Sequence, residues 1–194
     1  MTSRYRLCSF VTCPWVQRAA IVLREKQVPY EISYIDPDNR PDWFLAISPH
    51  KKVPVLRIDE SVSLFESNAI SEYLDETIKP QLHPADPIQR ALNRAWTDYI
   101  PTFADLVTDT AYVADEKEYD EAIKKMAVPF ERLEKALEKQ AATNTDKGPY
   151  FNGAAYSLVD CGYAPFLQRH TWLDKIRPIG VIGKYPRVAA WRDA

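Results

Sequence analysis

Pro80, Pro84 and Pro87 fall within eight residues, in a stretch from 77 to 87 that has no apolar period. Prolines this close can serve neither a helix interior nor a sheet ladder, so the stretch separates two units. Before it, short β-rich runs alternate with helix-periodic ones, and after it only helical spacing remains. A chain of 194 residues holds enough material for two small domains. The spacing predicts a first domain over 1–78, a linker over 79–87 and a second domain over 88–194.

In the first domain, residues 4–11 read as a strand. Val16, Ala19, Ala20 and Leu23 then recur at the spacing of a helix with one buried face. Tyr30, Ile32 and Tyr34 alternate with Glu31 and Ser33, the period of a half-buried strand, which makes the helix a crossover. Residues 53–58 and 62–65 form two further β-rich runs, joined by Asp59-Glu60-Ser61 at hairpin length. Ser67 opens another helix, with Ile70, Tyr73 and Leu74 on one face. The order is βα, β, a short irregular or helical piece at 42–47, then ββα.

Beyond the linker, 88–114 and 119–142 are helix-periodic, and Pro101 and Pro129 are expected to kink or divide them. Ser157 with Asp160 three residues on reads as a capping box opening a helix through about Trp172, which assigns Asp160 to capping rather than catalysis. A last helical segment begins near Pro186 and breaks off at Ala194 in mid-pattern.

The chemistry centres on Cys13-Pro14-Trp15, where a strand hands over to a helix. Proline is favoured at the first helical position, because its missing N–H had no partner there. Cys13 then falls at the N-cap. First-turn amides and the positive end of the helix dipole lower such a thiol from about 8.5 into the range of roughly 3.5 to 7.5. Cys8, Cys13 and Cys161 are too sparse for a secreted disulfide scaffold, which agrees with a reducing compartment. His50, His83 and His170 are scattered and no Cys-x-x-Cys pair occurs, so no metal is expected. Lys plus Arg number 25 against 27 Asp plus Glu, a balance with no basic excess for a nucleic-acid partner. No segment approaches the roughly 18 apolar residues of a membrane span, and the chain is read as soluble and cytoplasmic.

Thr12-Cys13-Pro14-Trp15-Val16-Gln17-Arg18, Lys52-Val53-Pro54-Val55-Leu56, Phe65-Glu66-Ser67-Asn68-Ala69-Ile70, Leu82-His83-Pro84-Ala85-Asp86-Pro87 and Ser157-Leu158-Val159-Asp160 follow one another in order. Together they resemble the motifs of cytosolic glutathione transferases over nearly the whole chain. The cysteine, where many classes place Tyr or Ser, is similar to the omega and related cysteine-containing bacterial groups. The resemblance implies an α/β plus all-α architecture: a thioredoxin-like N-terminal domain, then an all-helical one, usually in a homodimer. It implies glutathione as co-substrate, together with a small electrophilic or disulfide partner.

Carried onto this sequence, the family pattern places Val53 beside glutathione, where a cis Pro54 leaves the valine backbone to pair with the tripeptide, a small case of strand addition. Glu66 would accept the γ-glutamyl ammonium. The Ser67 hydroxyl and the adjoining helix amides would hold its carboxylate. Arg40 stands where omega-like members carry a basic residue for the glycyl end, with Lys52 a nearby competitor. An acceptor pocket would draw on Trp15, Tyr99, Phe103 and Tyr112. The implied chemistry is thiol transfer or deglutathionylation by the Cys13 thiolate. A second glutathione resolves the mixed disulfide, because Val16 occupies the place a dithiol route needs for cysteine. Weak conjugation of electrophiles is expected beside it, with Thr12 and Ser9 as hydroxyl donors. The alternative is a non-catalytic glutathione-binding regulatory protein on the same fold.

Overall fold

The computed structural model describes residues 3–194. The chain divides between His83 and Pro84 into two compact units.

The first unit runs β1 (Tyr5–Ser9), α1 (Pro14–Glu25), β2 (Tyr30–Tyr34), α2 (Asp42–Ile47), β3 (Val55–Ile58), β4 (Val62–Phe65) and α3 (Ser67–Thr77). Its sheet has the order β2-β1-β3-β4. β1 is parallel to β2, with Tyr5 opposite Tyr30 and Ser9 opposite Tyr34, and antiparallel to β3, with Cys8 opposite Val55. β4 returns antiparallel on β3, with Phe65 opposite Val55. Asp59 and Glu60 take positive φ values of 49° and 58° in the turn that joins them. Val16, Ala19, Val22 and Leu23 form the buried stripe of α1, which packs on α3, whose Ile70 and Leu74 are buried one turn apart. Burying each of these Val, Leu and Ile side chains contributes about 1.5–3 kcal/mol. Truncating Leu23, which is 0% exposed, would cost about 2–5 kcal/mol.

One sequence expectation changes here. β1 stops at Ser9 instead of continuing to residue 11, because the chain turns: the Cys13 N–H donates to the Phe10 carbonyl at 3.4 Å, and Val11 is exposed. α3 opens at Ser67, as the sequence predicts, with Glu66 at φ 68° as its cap. The segment after α3 is tied to this unit. Lys26 Nζ donates to the carbonyls of Ile78 and Pro80 at 2.6 and 2.7 Å and pairs with Asp75 at 2.8 Å. Asp75 in turn accepts from the N–H groups of Leu82 and His83.

The second unit contains α4 (Pro87–Tyr112), α5 (Glu116–Thr143), α6 (Leu158–Ile176) and α7 (Pro186–Asp193), with a 3-10 turn at Ile182–Lys184. Asp86 caps α4 through the Gln89 N–H, and Asp115 caps α5 through the Glu118 N–H. Pro101 and Pro129 do not divide their helices, and Pro165 lies inside α6, which runs beyond Trp172 to Ile176. An interior proline removes one hydrogen bond, but buried faces on both sides hold the helix together. In α5 those faces are Met126 before Pro129 and Phe130 and Leu133 after it. Phe103, Phe130, Tyr163 and Trp191 meet ring against ring in the core. The Asp160 carboxylate accepts four hydrogen bonds: from the Ser157 N–H and hydroxyl, the Phe151 N–H and Trp191 Nε1. Burial pushes this carboxyl up, against hydrogen bonds that favour its ionised form.

Candidate functional site

The sheet topology of the first unit gathers the chemistry-bearing residues at one end. Because β1 and β2 are parallel and β3 is antiparallel to β1, the carboxyl ends of β1 and β2 lie beside the start of β3 and the end of β4. Cys13 follows β1, Arg40 follows β2, Val53-Pro54 precedes β3, and Glu66-Ser67 follows β4. Open α/β sheets place ligands outside the carboxyl ends of their parallel strands. The Ile35 N–H donates to the Ser9 carbonyl at 2.8 Å, which continues the pairing of β1 and β2 to that edge.

Cys13 is the N-cap of α1, with extended dihedrals of −75° and 115°, and Pro14 is the first helical residue. The Cys13 carbonyl accepts the first helical bond, from Gln17 at 3.2 Å. The thiol is half-buried, whereas Cys8 and Cys161 are buried. Burial pushes the Cys8 thiol up to about 11. Of the three, only Cys13 combines access with a helix N-terminus.

The Val53-Pro54 peptide is cis, and Val53 is 7% exposed. Glu66 is more than half exposed and takes a backbone conformation uncommon for a residue with a Cβ. Ser67 is buried at the first position of α3. Arg40 lies over the Phe10 ring at 5.6 Å, and its Nε is a buried donor with no acceptor among the described residues. Lys52 is exposed, and its backbone N–H donates to the Ser48 hydroxyl at 3.0 Å.

Two residues at this edge carry interactions that sequence reasoning did not assign. Arg18, 3% exposed, donates from Nη1 to the Ser67 hydroxyl at 2.9 Å and from Nη2 to Asn68 Oδ1 at 3.0 Å. Its guanidinium lies over the Trp15 ring at 5.8 Å. An arginine adjoining the apolar stripe of α1 was the available signal, since charges are rarely buried without a partner. His50 places Nδ1 2.7 Å from Glu66 Oε1, a contact across a loop that no local pattern announces.

Among the proposed pocket aromatics, Trp15 is half-buried in the first unit. The other three lie on α4 of the second unit. The Tyr99 hydroxyl accepts from Arg132 at 3.0 Å, Phe103 is 0% exposed and belongs to the core, and Tyr112 is exposed at the helix end. Among the described residues, no group of three or more His, Cys, Asp or Glu could hold a metal ion, and no helix is long and apolar enough to cross a membrane.

Residues 7–81 match the profile of the glutathione S-transferase N-terminal domain, and residues 116–194 that of the glutathione S-transferase C-terminal domain. The chain is 27% identical over 187 residues to glutathione S-transferase omega-1 of Rattus norvegicus, covering 96% of this chain and 74% of that one. It is similar to the crystal structure of glutathione transferase Omega 3C from Trametes versicolor, with a TM-score of 0.85 and 25% identity over 100% of this chain and 85% of that one. It is also similar to rice GST1 in complex with glutathione, with a TM-score of 0.83 and 26% identity over 100% of this chain and 86% of that one.

Proposed function

The chain belongs to the glutathione S-transferase family, and from that premise we propose that it is an omega-like thioltransferase, acting through Cys13 on glutathione mixed disulfides. The observation that carries this reading is the position of Cys13: an accessible thiol at a helix N-cap, at the sheet end where Val53, Glu66 and Ser67 also stand. First-turn amides and the helix dipole favour the thiolate, which is the attacking form. The similarity to two omega-named proteins supports the subclass.

Glutathione lies beside the segment that leads into β3 in this reading. Val53 pairs with its backbone, Glu66 takes the γ-glutamyl ammonium, and Ser67 with the N-terminal amides of α3 takes the carboxylate beside it. Arg40 receives the glycyl carboxylate, since a buried Nε with no acceptor among the described residues suits an anionic partner. The Cys13 thiolate attacks the glutathione sulfur of the mixed disulfide. That S–S bond breaks, the substrate thiolate leaves and takes a proton from water, and Cys13 carries the glutathionyl group. A second glutathione thiolate attacks this sulfur, releases oxidised glutathione and restores the Cys13 thiolate. Trp15 is the aromatic residue proposed to meet the disulfide partner, and a homodimer is the proposed assembly.

The test is glutathione-dependent reduction of a small mixed disulfide by wild type, Cys13→Ala and Cys8→Ala. Activity lost in the first variant and kept in the second is expected. Equal activity in Cys13→Ala and wild type would end the proposal. Glutathione binding without turnover in wild type would favour the regulatory alternative.

A further inference from the structure

We propose that His50 is a positioning residue for ammonium recognition: it holds one oxygen of the Glu66 carboxylate so that the other meets the γ-glutamyl ammonium of glutathione. The inference rests on the tripeptide placement proposed above and assigns a role to a residue outside its ligand contacts.

His50 Nδ1 and Glu66 Oε1 are 2.7 Å apart. An ionised carboxylate can only accept, so the nitrogen facing it carries a hydrogen and donates. The imidazole is held from a second side by the Phe65 ring, edge-on with centroids 5.4 Å apart and planes at 75°. Phe65 is itself fixed by pairing with Val55 at the start of β3. The loop that carries His50 is closed by Ser48, whose hydroxyl accepts from the Lys52 N–H at 3.0 Å and donates to the Lys52 carbonyl at 2.8 Å.

These restraints matter because Glu66 is long and its side chain is 59% exposed. A glutamate in that setting samples many rotamers, and ordering it on binding subtracts from affinity. The His50 bond does part of that ordering before a ligand arrives. A carboxylate has two oxygens with about four lone-pair sites, so Oε1 can stay with His50 while Oε2 receives an ammonium hydrogen. The His50 side chain is 57% exposed, like the carboxylate it holds. The expected consequence is selectivity: losing His50 weakens ligands that carry the ammonium and spares those that lack it.

Calorimetric titration separates this from a structural role. The ligands are glutathione and its analogue with hydrogen in place of the α-amino group. The proteins are wild type, His50→Ala, His50→Asn and Glu66→Gln. His50→Ala is expected to weaken glutathione about fivefold and to leave the desamino analogue within about twofold. His50→Asn, whose amide nitrogen can stand in for Nδ1, is expected to restore most of the loss. The proposal is overturned if His50→Ala weakens both ligands equally, changes neither, or tightens glutathione, the last meaning that the imidazole competes with the ammonium. If Glu66→Gln leaves the preference of wild type intact, the tripeptide placement itself has failed. If Glu66→Gln removes the preference and His50→Ala keeps it, the placement stands and His50 has no part in it.

Discussion

Replacing Arg18 by Met should weaken glutathione binding although Arg18 is not proposed to touch the ligand. The Ser67 hydroxyl accepts from Arg18 Nη1 at 2.9 Å, which leaves its single hydrogen to donate outward. A ligand carboxylate oxygen about 2.7 Å from that hydroxyl lies no more than about 5.6 Å from the guanidinium nitrogen. At an effective dielectric of about 20, a unit charge pair at that separation is worth about 3 kcal/mol. Water on the open side of the ligand lowers this, and we expect about 1.5–2 kcal/mol, or roughly 10- to 30-fold in dissociation constant. Arg18→Lys should recover only part of it, because a point charge cannot hold Ser67 and Asn68 together as the planar guanidinium does. Calorimetry on both variants gives the affinity, and thermal melts followed by circular dichroism show whether they are folded. A folded Arg18→Met protein that binds glutathione within about twofold of wild type would refute the relay through Ser67.

Two other predictions concern the helical unit. Asp160→Ala removes a buried acceptor of four hydrogen bonds and should cost about 3–4 kcal/mol in urea unfolding. Asp160→Asn should cost about 2 kcal/mol, and a loss under about 0.5 kcal/mol in either would contradict the network. His170 is 0% exposed, with neither ring nitrogen partnered among the described residues. Burial pushes its imidazole down, opposed by Asp174 and assisted by Arg192. A depressed folded value gives stability that is present above the unfolded value near 6.5 and lost as pH falls through the folded one. Unfolding midpoints should therefore drop on acidification more steeply in wild type than in His170→Leu, and equal slopes would count against a neutral buried His170.

What could be read from the sequence was local. β-rich runs at 53–58 and 62–65 around Asp59-Glu60-Ser61 announced the β3–β4 hairpin, and Ser157 with Asp160 announced the start of α6, because each signal lies within one turn or one strand pair. Cys13-Pro14 likewise marked the start of α1. Packing decided the rest. Pro129 sits inside a continuous helix because Met126, Phe130 and Leu133 are buried around it, and no propensity rule anticipates that. α3 opens at Ser67 as read, but helix preferences do not foresee the glutamate at φ 68° that precedes it. At the site, Arg18 reaches Ser67 across 49 positions and His50 reaches Glu66 across 16, and such pairs become visible only when the sheet brings its ends together. Phe103 shows the opposite limit: an aromatic at helical spacing looks the same from sequence whether it lines a pocket or fills a core.

Thiol transfer by this route requires Cys13 to accept a glutathionyl group from a mixed disulfide. A single-turnover reaction with a small glutathionylated thiol, quenched with acid and followed by peptide mass spectrometry, measures this directly. The expected result is one glutathionyl group on the peptide that carries Cys13, none on those of the buried Cys8 and Cys161, and its removal when glutathione is added. An unmarked Cys13 while the substrate disulfide is nonetheless consumed at the enzyme's rate would contradict the account.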